Sequence, residues 1–251
     1  MELGLKGKSI LITGAAKGIG RAIAFAAANE GANIALHFRE SGREAFHTAE
    51  EIKEKFGVKV YPVKGDIAVI EDVVQIKDEL NREIGPIELI VNNAGYTIGK
   101  SFFQYKPNEW KREIDVCLNG VMNLVYTFMP EMIERKEGKF INIVGESART
   151  GDRHLIISAA ARNGAISFLK SLAQDVGKHN VQCNTLALGL IDQGTLPFGE
   201  AVLEKMVKQY PLRRLGNTAD VTGVILFLLS NHSDWITGQV IPVNGGYSML
   251  G

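Results

Sequence analysis

The amino-acid sequence predicts an α/β fold: a doubly wound parallel sheet of about seven strands, with helices on both faces. Short runs rich in Ile, Val and Leu alternate with stretches of helical periodicity along the whole chain. No linker, low-complexity segment or internal repeat divides the 251 residues, and single α/β domains of this length are common. We therefore expect one domain spanning residues 1–251.

The strands and helices are predicted in alternation along the chain. Strands are expected at 8–13, 32–37, 58–63, 87–91, 139–144, 181–187 and 238–243, because each of these segments is a short apolar run. Helices are expected near 18–30, 41–56, 69–84, 108–136, 154–178, 199–209 and 218–230, where apolar residues recur at helical spacing. Helices that connect buried parallel strands must cover both faces of the sheet, which gives the doubly wound arrangement.

Composition excludes several classes of function. The 28 basic and 28 acidic residues balance, which gives no indication of a nucleic-acid or membrane partner. The two cysteines, Cys117 and Cys183, do not form a disulfide framework, and no pattern indicates a metal site. The chain shows no signal-peptide layout and no apolar run of the roughly 18 residues that a membrane helix needs. A cytoplasmic location is expected.

A glycine-rich turn follows the first predicted strand and opens the first helix. It reads Thr13-Gly14-Ala15-Ala16-Lys17-Gly18-Ile19-Gly20. Glycines allow a tight turn and a close approach to a pyrophosphate, and the helix N-terminus presents free N–H groups and a positive dipole. In an alternating α/β chain this placement predicts a Rossmann-type site for a dinucleotide, with Gly14, Lys17, Gly18, Ile19 and Gly20 as candidate contacts.

The ends of the next strands supply further candidate contacts. The second strand ends in His37-Phe38-Arg39, without the acid that commonly binds the ribose of NAD, so Arg39 favours NADP over NAD. Alternatively, Arg39 is a solvated surface charge. Asp66 follows the third strand, with Ile67 beside it, and is a candidate acceptor for an adenine amino group. The fourth strand closes with Asn92-Asn93-Ala94-Gly95, of which Asn92, Ala94 and Gly95 are candidate cofactor contacts.

These motifs together resemble the short-chain dehydrogenase/reductase superfamily from about residue 5 to residue 247. The matching segments are the glycine turn, Asn92-Asn93-Ala94-Gly95, Pro211-Leu212-Arg213-Arg214-Leu215-Gly216, Asp220-Val221, Thr237-Gly238-Gln239 and Val243-Asn244-Gly245-Gly246. The resemblance implies NAD or NADP as cofactor and oxidation or reduction of an alcohol or ketone.

The same resemblance implies that the catalytic residues are replaced. The family uses an Asn, a Ser, a Tyr and a Lys; these positions hold Cys117, Gly145, Ser158 and Arg162 in this chain. The Pro-Gly pair that shapes the nicotinamide pocket reads Leu188-Gly189, and the threonine that follows it is Gln193.

The chemistry explains why these replacements matter. Hydride transfer at a carbonyl needs a proton at its oxygen, and a phenol with a pKa of about 10 can supply one when an ammonium lies nearby. Ser158 is a weaker acid and shorter, and Arg162 keeps its protons. Loss of one positioned acid or base costs about 10²–10⁴ in rate. The sequence therefore predicts very low activity.

A replacement set of catalytic groups is the alternative. Glu146, Ser147, Asp152 and His154 lie near these positions in sequence, and His154 precedes Ser158 by one helical turn. Tyr96, after the Asn-Asn-Ala-Gly turn, is a further candidate. For each of these side chains, an ordinary surface or capping role is the competing interpretation.

Assembly features are retained. In the family, two long helices pair across a tetramer interface, and here the segment 155–176 carries small residues suited to close helix packing. These are Ala159, Ala160, Ala161, Gly164, Ala165 and Ala173.

Three hypotheses follow from this pattern. In the first, the chain is the inactive subunit of a heterotetramer with an active homologous partner, similar to the inactive subunits of hydroxyacyl-CoA dehydrogenases of the benzylsuccinate type in anaerobic toluene breakdown. In the second, it is an active but atypical NAD(P)-dependent oxidoreductase, alone as a homotetramer. In the third, it is a dinucleotide-sensing regulator.

Overall fold

A seven-stranded sheet forms the centre of the computed structural model, which describes residues 2–194, 196 and 199–250. The strands are β1 (Ser9–Thr13), β2 (Asn33–Phe38), β3 (Val60–Lys64), β4 (Leu89–Asn92), β5 (Gly138–Gly145), β6 (Val181–Leu188), β7 (Ile191–Asp192), β8 (Gly216–Asn217) and β9 (Val240–Val243). The order in the sheet is β3-β2-β1-β4-β5-β6-β9, and every pair is parallel. The short strands β7 and β8 pair with each other. The predicted parallel sheet is confirmed.

Helices connect the strands. They are α1 (Gly18–Asn29), α2 (Gly42–Phe56), α3 (Ile70–Glu83), α4 (Pro107–Ile114), α5 (Gly120–Arg135), α6 (Ser147–Thr150), α7 (Ile156–Val176), α8 (Glu200–Val207) and α9 (Thr218–Leu229). None of the helices in the described ranges is long and apolar enough to cross a membrane.

Side chains that alternate between the two faces of the sheet form two apolar layers. Ile10 and Ile12 pack in the layer that includes residues of α1, α2 and α9, whereas Leu11, between them, packs in the layer of α3, α5 and α7. Successive side chains of a strand point to opposite faces, so a buried parallel strand contributes to both layers. The helices on both faces of the predicted sheet are confirmed.

One predicted helix is divided in the structure. The segment expected as a single helix at 108–136 consists of α4, a π-helical segment over Asp115–Asn119, and α5. No proline or glycine marks this change before Gly120, so helical periodicity alone could not locate it. π-Helical turns inserted between α-helices are frequent at functional sites, and this one contains Cys117.

The order of the strands determines where ligands can bind. The chain runs outward from β1 to β3, returns to β4 on the other side of β1, and continues outward. In open parallel sheets, ligands bind outside the carboxyl ends of the strands at such a reversal. Thr13 at the end of β1 lies in register with Asn92 at the end of β4, and Asn92 with Asn142 in β5.

Candidate functional site

Thr13 joins the two turns at the reversal point. Its buried hydroxyl donates to Asn92 Oδ1 at 2.7 Å and accepts from the N–H groups of Asn93 and Ala94 at 3.0 and 2.9 Å. The Asn93 amide donates back to the carbonyl oxygens of Thr13 and Gly14, both at 3.1 Å. The glycine turn and the Asn-Asn-Ala-Gly turn are thereby held as one unit.

The glycines of the first turn leave room for close backbone packing. Gly14 has a φ of +64°, and a Cβ there would lie 3.2 Å from the Cα of Ala94. A Cβ on Gly20 would lie 2.7 Å from the side-chain nitrogen of Asn93, so this position must stay bare for α1 to approach the turn. Helix α1 has no acidic residue in its first turn and no side-chain N-cap from its own Lys17, which leaves its N-terminal dipole available to an anion.

His37 contacts the glycine turn through its imidazole ring. Its ring is buried, with Nδ1 3.3 Å from the Gly14 N–H and Nε2 3.0 Å from the Gly65 carbonyl oxygen. These partners suit a neutral ring that accepts at Nδ1 and donates at Nε2. Burial lowers the pKa of His37 to about 4, because a charged imidazolium would lose its hydration.

A first cavity, cavity 1, opens beside this turn with a volume of about 380 Å³. It is lined by seven of the predicted cofactor contacts: Gly14, Lys17, Arg39, Asp66, Ile67, Ala94 and Gly95. Arg39 forms an ion pair there, since its Nη2 lies 2.7 Å from Oε1 of Glu40, which also lines the cavity. Glu40 lies one residue beyond the positions at which the motif carries its acid, so the sequence pattern does not mark it.

Asp66 is a charged acceptor at the wall of cavity 1. Its Oδ2 accepts from Arg112 Nη2 at 2.7 Å, and its Oδ1 accepts from the Ala68 N–H at 3.0 Å. Burial by itself would raise the pKa of Asp66, but the Ala68 N–H and the Arg112 guanidinium outweigh it and hold the pKa below its ordinary value. The carboxylate therefore stays ionised and can accept a hydrogen bond from a ligand amino group.

A second cavity, cavity 2, adjoins the first and has a volume of about 610 Å³. The two cavities share the lining residues Lys17, Asn93, Gly95 and Tyr96. Two of the four positions aligned with the family's catalytic residues, Gly145 and Arg162, line cavity 2, as do Leu188 and Gly189. Ile19 also faces it.

A small polar cluster lies where the resemblance expects the proton donor. The buried hydroxyl of Ser158 lies 2.9 Å from the hydroxyl of Thr97, and Arg162 Nη1 donates to both oxygens, at 2.9 Å to Thr97. Ser158 and Arg162 lie one turn apart on α7, as their spacing predicts. Thr97 lies in the loop after β4, and no motif in the sequence marks it.

The remaining two positions contribute little to the cavity. Cys117 is buried, and its Sγ donates to the carbonyl oxygen of Tyr96 at 3.2 Å, so it holds the loop backbone and does not line cavity 2. Gly145 brings no side chain, and the nearest atom to a Cβ built there is the Ser147 hydroxyl at 3.5 Å.

Gln193 contacts the glycine turn. Its Oε1 accepts from the Ile19 N–H at 3.3 Å, and the same oxygen occupies the space that a side chain on Gly18 would take. The N–H of Ile19 is one of the groups predicted to bind a pyrophosphate. Gln193 therefore fills part of the predicted phosphate site with a neutral amide oxygen.

Three predicted cofactor contacts, Gly18, Gly20 and Asn92, line neither cavity. Asn92 lines neither cavity, because its side chain is buried between Thr13 Oγ1 and Asn142 Oδ1, at 2.7 and 2.9 Å. It positions the turn, while the next residue, Asn93, lines both cavities. Gly20 also lies behind the turn and has a packing role.

Most of the proposed replacement donors lie away from cavity 2. His154 does not share a helix with Ser158, since α7 begins at Ile156; it is exposed, and its carbonyl oxygen accepts from the Lys100 N–H at 3.0 Å. Asp152 is exposed and accepts from the His154 N–H at 2.8 Å. Neither residue lines cavity 2.

Of the other three candidates, two lie away from cavity 2 and one lines it. Glu146 is buried but turned toward Arg149, at 3.1 Å, and the Ser248 hydroxyl, and neither it nor Ser147 lines cavity 2. Tyr96 lines both cavities and is the one member of the proposed set that does.

The residues present fit a dinucleotide at the cofactor end. The glycines that allow a close approach, the start of α1 without an acidic side chain and the ionised Asp66 are the features that a pyrophosphate and an adenosine require, and only the neutral Gln193 amide occupies the Ile19 N–H. Over the described part of the chain, no group of three or more His, Cys, Asp and Glu side chains is placed to hold a metal ion.

Comparisons with known proteins identify relatives over almost the whole chain. A family model described as enoyl-(acyl carrier protein) reductase matches residues 14–248. The chain is 34% identical over 246 residues to the 3-oxoacyl-[acyl-carrier-protein] reductase FabG of Staphylococcus epidermidis, covering 96% of this chain and 99% of that protein. It is 35% identical over 247 residues to the enzyme of the same name from Aquifex aeolicus, covering 98% and 99%.

A solved structure supports the same assignment. The crystal structure of 3-oxoacyl-[acyl-carrier protein] reductase from Brucella melitensis matches with a TM-score of 0.91 at 30% identity, over 99% of this chain and 95% of that one. The match extends over the sheet, the glycine turn and the C-terminal segments alike. The chain therefore belongs to the short-chain dehydrogenase/reductase superfamily of NAD(P)-dependent oxidoreductases.

Proposed function

We propose that this chain is a dinucleotide-binding but catalytically inactive subunit that assembles with an active homologue acting on a 3-oxoacyl or 3-hydroxyacyl thioester. The observation that carries the proposal is the Ser158–Thr97–Arg162 cluster. The cluster includes the aligned donor position, Ser158, and it contains two aliphatic hydroxyls and a guanidinium but no phenol.

The cluster is poorly suited to proton transfer. A bound nicotinamide cofactor supplies or accepts the hydride, so the protein must move a proton at the substrate oxygen. Ser158 is fully buried, and its hydroxyl contacts Thr97 and Arg162. An aliphatic hydroxyl is a much weaker acid than a phenol, and an arginine in a protein holds its proton.

Substrate orientation is weakened at the same time. In the aligned position of the carbonyl-binding serine, Gly145 offers no hydroxyl to cavity 2. Loss of one positioned acid or base costs about 10²–10⁴ in rate, and the losses within such a unit are not additive. Turnover by this chain alone is therefore expected to be very small.

Exposed apolar surface on the long helices favours an assembly. On α5, Met122 and Tyr126 expose 42% and 77% of their surface, and Ala160 on α7 is also exposed. Met122 and Tyr126 lie one turn apart on the same face of α5, and contiguous exposed apolar patches mark sites of protein–protein contact. The thioester class is taken from the curated relatives, which are named as 3-oxoacyl-[acyl-carrier-protein] reductases.

Turnover of the purified chain tests the catalytic part of the proposal. We expect no reduction of acetoacetyl-CoA above buffer with NADPH or NADH. The restored variant Cys117→Asn/Gly145→Ser/Ser158→Tyr/Arg162→Lys is expected to gain measurable activity, with Ser158→Ala as a matched change that removes only the hydroxyl. Turnover by the unmodified chain at the rate of an active relative would contradict the proposal.

Native mass spectrometry of the protein isolated from its own cells tests the assembly. A mixed tetramer with a second chain of similar size that carries Tyr-x-x-x-Lys is the expected result. A homotetramer of this chain alone would contradict the proposed assembly with an active partner subunit.

The second candidate function is an atypical active oxidoreductase that uses Tyr96. The observation in its favour is that Tyr96, which carries a phenol, lines both cavities. If Tyr96 donates the proton, Tyr96→Phe will remove a measurable turnover of the unmodified chain, whereas Tyr126→Phe, at an exposed position on α5, will not.

A further inference from the structure

Arg162 carries a charge that the described part of the protein does not neutralise. Its guanidinium Nη1 bonds to two neutral hydroxyls, Thr97 and Ser158, and no carboxylate among the described residues lies within ion-pair distance of it. A guanidinium has five N–H donors in a rigid fork, so these two contacts leave donors unused.

The charged residues that line cavity 2 are both cations, and its other walls combine neutral polar residues, Asn93, Thr97 and Gln193 among them, with apolar ones. The Arg162 side chain lines cavity 2, and the second cation there, Lys17, lies at the end shared with cavity 1. No Asp or Glu lines cavity 2 among the described residues. The remaining walls include Ile143, Val144, Leu188, Leu190, Ile191 and Leu196.

The Arg162 guanidinium in cavity 2 favours a planar anion such as a carboxylate. Low-dielectric walls strengthen the attraction between a cation and an anion, and the planar guanidinium pairs with a carboxylate through two parallel hydrogen bonds. The space next to Gly145, which has no side chain, leaves room for the rest of the ligand. Cavities of several hundred Å³ are typical of sites for small molecules.

We infer that cavity 2 is a binding site for a small carboxylic acid with an apolar body, whose carboxylate pairs with Arg162 while its chain packs against the aliphatic wall. This goes beyond the proposed function, which concerns a dinucleotide, the absence of proton transfer and the partner subunit. The acid is assigned to the chain without cofactor, because Leu188 and Gly189, which line cavity 2, lie where the family resemblance places the nicotinamide. It assigns a ligand class to the space that the missing catalytic side chains leave.

The test compares two probes that differ in charge. Hexanoate and hexanamide have the same length and nearly the same shape, and each is titrated into the unmodified chain by calorimetry at one fixed ionic strength. We expect hexanoate to bind at least about tenfold more tightly, the effect of one charge-assisted contact. Equal affinity for the two probes, or no binding of hexanoate, would overturn the inference. This comparison needs no variant.

A variant locates the contact. Arg162→Met keeps an apolar chain of similar length and removes the charge, and it is expected to weaken hexanoate binding by at least about tenfold. Lys170→Met is the control, since Lys170 is an exposed cation two turns further along α7 that does not line cavity 2. Unchanged hexanoate binding to folded Arg162→Met would overturn the inference. Neither titration depends on turnover, so an active chain would contradict the proposed function while leaving this result intact.

Discussion

The side-chain oxygen of Gln193 accepts a hydrogen bond from the backbone N–H of Ile19 at 3.3 Å. Ile19 lies in the first turn of α1, where the helix dipole attracts an anion. A pyrophosphate bound in the way that the glycine turn predicts must therefore displace a polar group that belongs to the protein itself.

Removal of this amide is expected to strengthen dinucleotide binding. Gln193→Ala frees the Ile19 N–H, and the net value of one such hydrogen bond, about 0.5–1.5 kcal/mol, corresponds to about a two- to tenfold lower Kd. Titration calorimetry with NADP measures the change. Gln174→Ala, at an exposed position on α7, is the control. A higher Kd for Gln193→Ala would show instead that the amide contacts the cofactor.

Cofactor choice is expected to depend on the Arg39–Glu40 pair. Arg39→Ala should weaken binding of NADP by about tenfold, because a charge-assisted contact to the 2′-phosphate is lost, and should leave NAD binding almost unchanged. Glu40→Gln should act in the opposite direction, since it removes a carboxylate that lies 2.7 Å from Arg39 and competes with the phosphate for the guanidinium. Fluorescence titration with each cofactor measures both effects. Equal losses for NAD and NADP in Arg39→Ala would exclude recognition of the 2′-phosphate.

The Thr13 hydroxyl is expected to stabilise the fold at the reversal point. Thr13→Val keeps the shape but leaves the N–H groups of Asn93 and Ala94 without their acceptor, which should lower the free energy of unfolding by about 2–4 kcal/mol. Thr13→Ser keeps the hydroxyl and loses one methyl group, at a cost of about 1 kcal/mol. Chemical denaturation of both variants gives the comparison. Equal losses would show that the hydroxyl is unimportant.

Burial of His37 is expected to make folding sensitive to mild acid. The pKa is about 4 in the folded protein and 6.5 as the ordinary value, so the unfolded chain binds more protons between these limits. This contribution to stability is complete above pH 6.5 and is lost as pH falls through about 4, with a total of about 3 kcal/mol.

The comparison with a neutral side chain isolates this effect. His37→Gln cannot take up the proton, so its free energy of unfolding should fall less than that of the unmodified chain as the pH is lowered over that range. Denaturation at several pH values measures the difference. Parallel pH profiles for the two proteins would show that His37 does not contribute.

The fold was largely predictable from the sequence because its signals are local. The seven strands of the main sheet correspond to short, largely apolar segments of the sequence. The glycine turn after Thr13 marks the first βα connection. The π-helical segment at Asp115–Asn119 was not predictable, because it contains no residue that breaks a helix. The short pair of β7 and β8 joins segments distant in sequence, which no local pattern reveals.

For the site, the sequence by itself determined which residue types are present, and therefore that Ser158 and Arg162 stand one turn apart on a helix. Only the tertiary structure decided what they contact. It brought Thr97, from the loop after β4, to the Ser158 hydroxyl, and Gln193 to the start of α1. It also turned Glu146 away toward the C-terminal segment and left Tyr96 at the cavity wall. Such contacts join residues that are far apart in the chain, and their geometry depends on how the helices pack against the sheet, which spacing in the sequence does not record.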